Sequence, residues 1–311
     1  MLKSAIIGFG NWGKTISNAI YETKKFDIKY ILDDKYIDKS FHNIKKCKSV
    51  EAILEDKEIN TVFIFTPNHL HGYYAKLCAK YKKNIFMEKP ICNSVKESLE
   101  VLDECKNNAC KLMIGHNVKY YSIYKKVKDL IDLDYIGKIY HIEMNRSRPI
   151  WKTITKDSWR YSKEKCNGGP LIQMALHLID TINYFFDFTL EDLKVIGTNK
   201  YLKSENHETY NIIGKFSDDK TFYLYSSYLP AETFYINIYG SKGTIYADVN
   251  RGLFYQEIDS FDVKNIPYNK NNPELDEITD FYNLINNNNF DYSNVENAIK
   301  DVEEIEKILS A

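Results

Sequence analysis

Three short stretches carry residue types suited to moving a hydride and a proton. The first is Gly8-Phe9-Gly10-Asn11-Trp12-Gly13, whose glycines fall at the G-x-G-x-x-G spacing. An apolar run at residues 5–7 precedes it, and Ile16, Ala19 and Ile20 then share one helical face. Strand, glycine turn and helix N-terminus together form a pyrophosphate cradle. Gly8 permits the tight turn, Gly10 lets the backbone approach the phosphates, and Gly13 lets helix and strand pack closely. The second is Asp33, twenty residues beyond Gly13 at the end of the apolar run 28–32. A carboxylate there accepts the ribose hydroxyls of NAD and repels a 2′-phosphate, so NAD is expected over NADP, with Lys35 the one counterweight. The third is Glu88-Lys89-Pro90. Hydride transfer from a secondary alcohol needs a group to take the hydroxyl proton. A lysine that is partly desolvated and close to the cationic nicotinamide ring has its pKa lowered toward neutrality. The plain alternative, a solvated surface lysine, is disfavoured by the buried strand directly before it.

The elements that must position these residues are legible as hydrophobic pattern. Strand-like apolar runs at 5–7, 28–32, 61–65, 85–87 and 112–114 alternate with helical stretches, the pattern of a five-stranded parallel doubly wound sheet covered on both faces. Leu70, Tyr74, Leu77, Cys78 and Tyr81 recur at helical spacing. Ser94-Val95-Lys96-Glu97 reads as a capping box opening a helix through Val95, Leu99 and Leu102. Thr66-Pro67-Asn68, Glu88-Lys89-Pro90 and Gly115-His116-Asn117 follow the third, fourth and fifth strands. Ligands of such sheets bind at the carboxyl ends of strands, so the three motifs are expected to line one crevice with the glycine loop. Beyond residue 120 the pattern changes: a helix (Ile123, Val127, Leu130, Ile131), a strand at 139–146, a polar loop at 150–169 and an apolar helix at about 171–186. Strands rich in Tyr, Phe and Ile then run to about residue 258 without intervening helices, as an antiparallel sheet requires. Two helices, about 274–286 and 295–309, close the chain. The expected organisation is α/β: an N-terminal Rossmann domain at 1–119 and a C-terminal α+β domain at 120–311 with a large, open, mostly antiparallel sheet, the terminal helix being able to pack back on the first domain.

Composition narrows the function classes. The chain has 311 residues and a formal net charge of −1, which gives no reason to expect nucleic acid or a membrane surface as partner. No apolar run approaches the ~20 residues of a membrane span. Six cysteines are scattered without a C-x-x-C pair, fitting free thiols in a reducing cytoplasm. His69 and His71 lack the Cys or carboxylate companions of a metal site, so no metal is expected.

The glycine loop, Thr66-Pro67-Asn68-His69-Leu70-His71, Glu88-Lys89-Pro90, Gly115-His116-Asn117-Val118-Lys119-Tyr120, and Trp159-Arg160 with Gly168-Gly169-Pro170 leading to His177 and Asp180 occur in an order and spacing that closely resemble the Gfo/Idh/MocA oxidoreductases. The resemblance runs over nearly the whole chain. It implies nicotinamide-dependent oxidation or reduction of a sugar or cyclitol, with Lys89 as the catalytic acid/base on a bond to Pro90 that is often cis, and His177 as a second catalytic residue. It places Phe9, Asn11, Trp12, Thr66, Pro67, Asn68, His71, Glu88, Asn117, Trp159 and Arg160 around the cofactor. Lys119, Tyr120, Gln173 and His177 fall on the substrate side with Lys89; Tyr161 and Arg148 are further pocket candidates. At helical spacing Gln173, His177 and Asp180 form one stripe. Gln173 departs from the carboxylate that many relatives carry in a D-x-x-x-H pattern. It can hydrogen-bond both ways but carries no charge. That departure weighs against a simple inositol dehydrogenase and toward a nucleotide-linked or otherwise activated sugar, with a free sugar or cyclitol as the alternative. It is also the sole support for a rival of another class, a non-catalytic NAD-binding regulator. A homodimer or homotetramer through the C-terminal sheet is expected, because an open sheet face needs covering.

Overall fold

A computed structural model describes residues 1–34 and 44–311. The chain forms two compact units, Met1–Asn117 with Asn272–Lys300, and Val118–Asn271 with Asp301–Ala311.

The first unit runs β1 (Leu2–Ile7), α1 (Asn11–Thr23), β2 (Phe26–Leu32), β3 (Lys45–Cys47), α2 (Glu51–Leu54), β4 (Thr61–Ile64), α3 (His71–Lys80), β5 (Asn84–Glu88), α4 (Val95–Asn107) and β6 (Leu112–Gly115). All six strands are parallel, in the order β3-β2-β1-β4-β5-β6. The order reverses beside β1, the switch point at which doubly wound sheets bind nucleotides. Ile6, Val62, Phe63, Ile85 and Phe86 are fully buried, because helices cover both faces. Five strands were expected from the sequence; the sixth, β3, is a three-residue edge strand of two exposed lysines and a cysteine, too short and polar to register as an apolar run. Ser94 caps α4 as its motif implies, its Oγ accepting the Glu97 amide hydrogen (3.3 Å), worth about 1 kcal/mol.

The chain's return completes this core. The helix α7 (Pro273–Asn286) packs on α1 and buries Phe281 completely, its ring centroid 5.4 Å from Phe86 and 5.6 Å from Phe63. Burying one such ring contributes roughly 2–3 kcal/mol, so the sheet's apolar filling is supplied partly from the far end of the sequence. The last helix, α8 (Ser293–Ser310), starts in the first unit and finishes in the second.

The second unit holds α5 (Ser122–Asp132), β7 (Ile139–Ser147), α6 (Leu176–Phe185), β8 (Leu190–Thr198), β9 (Thr209–Phe216), β10 (Thr221–Ser227), β11 (Thr233–Gly240), β12 (Gly243–Asp248), β13 (Gly252–Glu257) and β14 (Val263–Asn265). They form an eight-stranded sheet, β14-β13-β12-β11-β7-β10-β9-β8, antiparallel except for the β7–β10 pair. Alternation fixes its two faces: in β11 Phe234, Ile236 and Ile238 are buried, while Tyr235, Asn237 and Tyr239 point the other way. The buried face packs against α5 and α6. On the opposite face Glu143 accepts hydrogen bonds from Tyr235 (2.7 Å), Tyr239 (3.0 Å) and Asn237 (3.3 Å).

Candidate active site

In the first unit the glycine loop is built as its spacing implies. Gly8 has φ +88°, and a Cβ there would lie 2.7 Å from the Phe65 carbonyl carbon, so β1 and the end of β4 approach too closely for any side chain. A Cβ on Gly10 would meet nothing within 4 Å, leaving open space over the loop. Gly10 is also the N-cap of α1, which has neither a side-chain cap nor an acidic residue in its first turn. The helix's leading N–H groups are therefore not capped by a side chain and meet no carboxylate from the helix's own first turn, which suits a phosphate. Asp33 sits beside the loop, its Oδ2 accepting the Phe9 amide hydrogen at 2.7 Å. Thr66 Oγ1 is buried with no partner among the described residues. These features fit NAD: the loop and the start of α1 would hold its phosphates, and Asp33 its ribose. Lys35 lies outside the described residues.

Lys89 follows β5 directly, half-buried, with a cis bond to Pro90. Its neighbour Glu88 is buried, and loss of solvent pushes its carboxyl up to about 7 despite a hydrogen bond from Trp12. Trp12 thus links the glycine loop to the end of β5, a contact the sequence did not reveal. Asn117, after β6, donates to Glu274 at 3.0 Å, so the start of α7 steadies the third motif.

His71 lies between the turn after β4 and the turn after β5. It is 1 % exposed, with Nδ1 2.7 Å from the Pro90 carbonyl oxygen and Nε2 2.9 Å from that of Thr66. The ring thereby ties the turn after β4 to the turn carrying Lys89. A neutral imidazole can donate to one of these carbonyls, an imidazolium to both. Burial opposes the charge more strongly than the two acceptors favour it, and the pKa falls to about 4.

In the second unit Gln173 and His177 lie on one helical segment, and Lys119 pairs with its Asp180. Gly168 (φ +84°) and Gly169 (φ +51°) turn the chain into a π-helical turn, Leu171–Ala175, which continues as α6. Gln173 falls in the π turn, so the expected α-helical stripe with His177 and Asp180 is distorted at its first member; such turns often mark functional sites. Gln173 is 8 % exposed, and its Oε1 accepts from Arg160 Nε at 3.3 Å. The Arg160 guanidinium lies 4.2 Å over the Trp159 ring, and no carboxylate pairs with it among the described residues. Lys119 forms a 3.5 Å ion pair with buried Asp180, so its charge is compensated within the unit. Tyr161 donates to the Lys203 carbonyl (2.7 Å), Tyr120 accepts from Asn271 through its carbonyl (2.7 Å), and Arg148 pairs with Glu232 (3.4 Å). His177 is half-buried on α6.

Residues 2–116 match the oxidoreductase family with an NAD-binding Rossmann fold, and residues 124–246 match the GFO/IDH/MocA C-terminal domain. An uncharacterized oxidoreductase of Streptococcus pneumoniae is 26% identical over 258 residues, covering 80% of this chain and 69% of that protein. Myo-inositol 2-dehydrogenase of Thermotoga maritima is 24% identical over 210 residues, covering 66% and 61%. Among solved structures, levoglucosan dehydrogenase in complex with NADH and levoglucosan superimposes with a TM-score of 0.86 at 19% identity, covering 99% of this chain and 96% of that one, a likeness of fold. Both halves of the chain carry the family's pattern in sequence and in architecture. The chain belongs to the GFO/IDH/MocA family and is an oxidoreductase with an NAD-binding Rossmann domain.

Proposed function

We propose that the protein exchanges a hydride between NAD(P) and a ring carbon of a sugar, with Lys89 as the acid/base. The observation that carries this reading is Lys89 itself: half-buried, on a cis-proline turn at the carboxyl end of β5, in the unit that also carries the open glycine cradle. When bound, the nicotinamide supplies or accepts the hydride. Lys89 Nζ takes the hydroxyl proton during oxidation and returns it during reduction. His177 assists by hydrogen-bonding the substrate. Asp33 holds the adenosine ribose, and its charge favours NAD over NADP. Trp159 and Arg160 serve the cofactor, the planar guanidinium being suited to a phosphate.

For the substrate, Gln173 is neutral where a carboxylate would repel an anionic group, which favours an anionic substrate such as a nucleotide-linked sugar. The second reading, a free sugar or cyclitol, is favoured by the names of the inositol and levoglucosan enzymes among the relatives. A panel of UDP-glucose, UDP-N-acetylglucosamine, D-glucose, D-xylose and myo-inositol with NAD, followed at 340 nm, separates them. The nucleotide-linked reading expects kcat/KM at least about tenfold higher for a UDP-sugar than for any free one; the reverse order overturns it. Turnover takes place in a homo-oligomer formed through the uncovered sheet face, where Glu143 and its tyrosines supply polar and aromatic contact surface.

A further inference from the structure

The turn that launches the π-helical segment and α6 is closed by the Gly169 amide hydrogen on the Cys166 carbonyl at 3.2 Å, and a distant side chain adds a second hold. Asn206, only 4 % exposed, reaches it from the connection between β8 and β9. Its Oδ1 accepts the Gly168 amide hydrogen at 3.0 Å and its Nδ2 donates to the Cys166 carbonyl at 2.9 Å. One buried amide thus grips both sides of the turn, offering a donor and an acceptor in one neutral plane at every pH, which an aspartic acid does only when protonated. The fit is close: a Cβ on Gly169 would lie 3.0 Å from the Asn206 Cβ. The turn in turn sets the helix. Leu171 and Gln173 donate their amide hydrogens to the carbonyls of Gly168 and Gly169 at 3.0 and 3.1 Å, while Ser226 Oγ donates to the Pro170 carbonyl at 3.0 Å.

The connection that presents Asn206 is itself braced. Ser204 Oγ donates to the Asn206 carbonyl at 2.9 Å. Glu208, fully buried, accepts the amide hydrogens of Lys200 (2.8 Å), Tyr201 (2.9 Å) and Leu202. Buried polar groups with both partners satisfied specify one arrangement, because any shift leaves a desolvated donor or acceptor unpaired.

We propose that Asn206 is a positioning residue, fixing the backbone of Gly168 and Gly169 and through it the placement of Gln173 and His177. This inference rests on the reading of those two residues as substrate-side groups. Three variants test it: Asn206→Ala, Asn206→Asp and His177→Ala. Measurements are amide hydrogen exchange over residues 166–178, NAD affinity by calorimetry, and turnover with whichever of the five panel sugars has the highest kcat/KM. In Asn206→Ala, exchange over 166–178 is expected to rise at least about tenfold and kcat to fall at least about tenfold, with NAD affinity within twofold of wild type. In Asn206→Asp the ionised carboxylate repels the Cys166 carbonyl, whereas the protonated acid reproduces the amide's donor and acceptor. Its kcat relative to wild type therefore rises several-fold from pH 8 to pH 5.5, a recovery that follows the donor–acceptor pair and that filling the space alone does not produce. Wild-type exchange and kcat in both Asn206 variants, alongside an impaired His177→Ala, overturn this inference and leave the functional reading standing. Wild-type turnover in His177→Ala overturns the reading of the helix and this inference with it.

Discussion

Replacing Lys89 with alanine is expected to lower kcat by about 100-fold or more while NAD affinity stays within a few-fold of wild type. Proton transfer by a positioned amine contributes on that scale, and a solvated surface lysine contributes almost nothing. The local structure favours the first case. Lys89 is half-buried at the end of a fully buried strand segment, next to a carboxyl that burial has pushed up to about 7. The phosphates would be held elsewhere, by the glycine loop and the start of α1, so affinity and turnover separate in this variant. Steady-state rates at 340 nm and calorimetric titration with NAD measure the two effects independently.

The second large effect is an opposed pair of pH-linked stabilities. His71 titrates near 4 when folded and near 6.5 when unfolded, so between those values the unfolded chain binds the extra proton and stability falls as pH drops. Glu88 titrates near 7 when folded and 4.5 when unfolded; its contribution is complete below about 4.5 and is lost as pH rises toward 7. Each difference is worth roughly 3 kcal/mol at about 1.4 kcal/mol per pH unit, with opposite sign, so in the wild type the two oppose each other. Single variants expose them. Relative to wild type, His71→Gln is expected to gain about 3 kcal/mol as pH falls from 7 to 4, and Glu88→Gln to lose a similar amount over the same range. Urea unfolding without cofactor, run at half-unit intervals of pH, gives both difference curves. Flat curves would show that neither burial has the stated effect.

Much of this molecule was readable from residue order. The β1 loop, the capping box at Ser94 and the long tyrosine-rich strands are local patterns with local causes, and each appears where its pattern lies. What escaped depends on partners distant in sequence or on geometry that periodicity does not encode. The helix containing Phe281 is amphipathic in any context; nothing in its own pattern says that its aromatic ring packs on Phe63, more than two hundred residues earlier. In the stretch 171–175, where every side chain but that of Gln173 is apolar, α and π winding leave the same hydrophobic signature, so the distortion at Gln173 was invisible. The motif carrying His71 gives no sign that two backbone carbonyls, those of Thr66 and Pro90, hold its ring. Asn206 belongs to no motif at all, and its importance appears only once the Gly168 turn is folded against it.

The central claim is that the Lys89 amine exchanges the substrate proton. Its most direct test is the pH dependence of kcat/KM for alcohol oxidation in wild type and in Lys89→Ala, with the same sugar and saturating NAD. A group that must be deprotonated to act gives a rate that rises with pH and then levels off. The expected result is that this limb is present in wild type and absent from the residual activity of Lys89→Ala. An unchanged limb in the variant would assign the proton transfer to another group and contradict the claim.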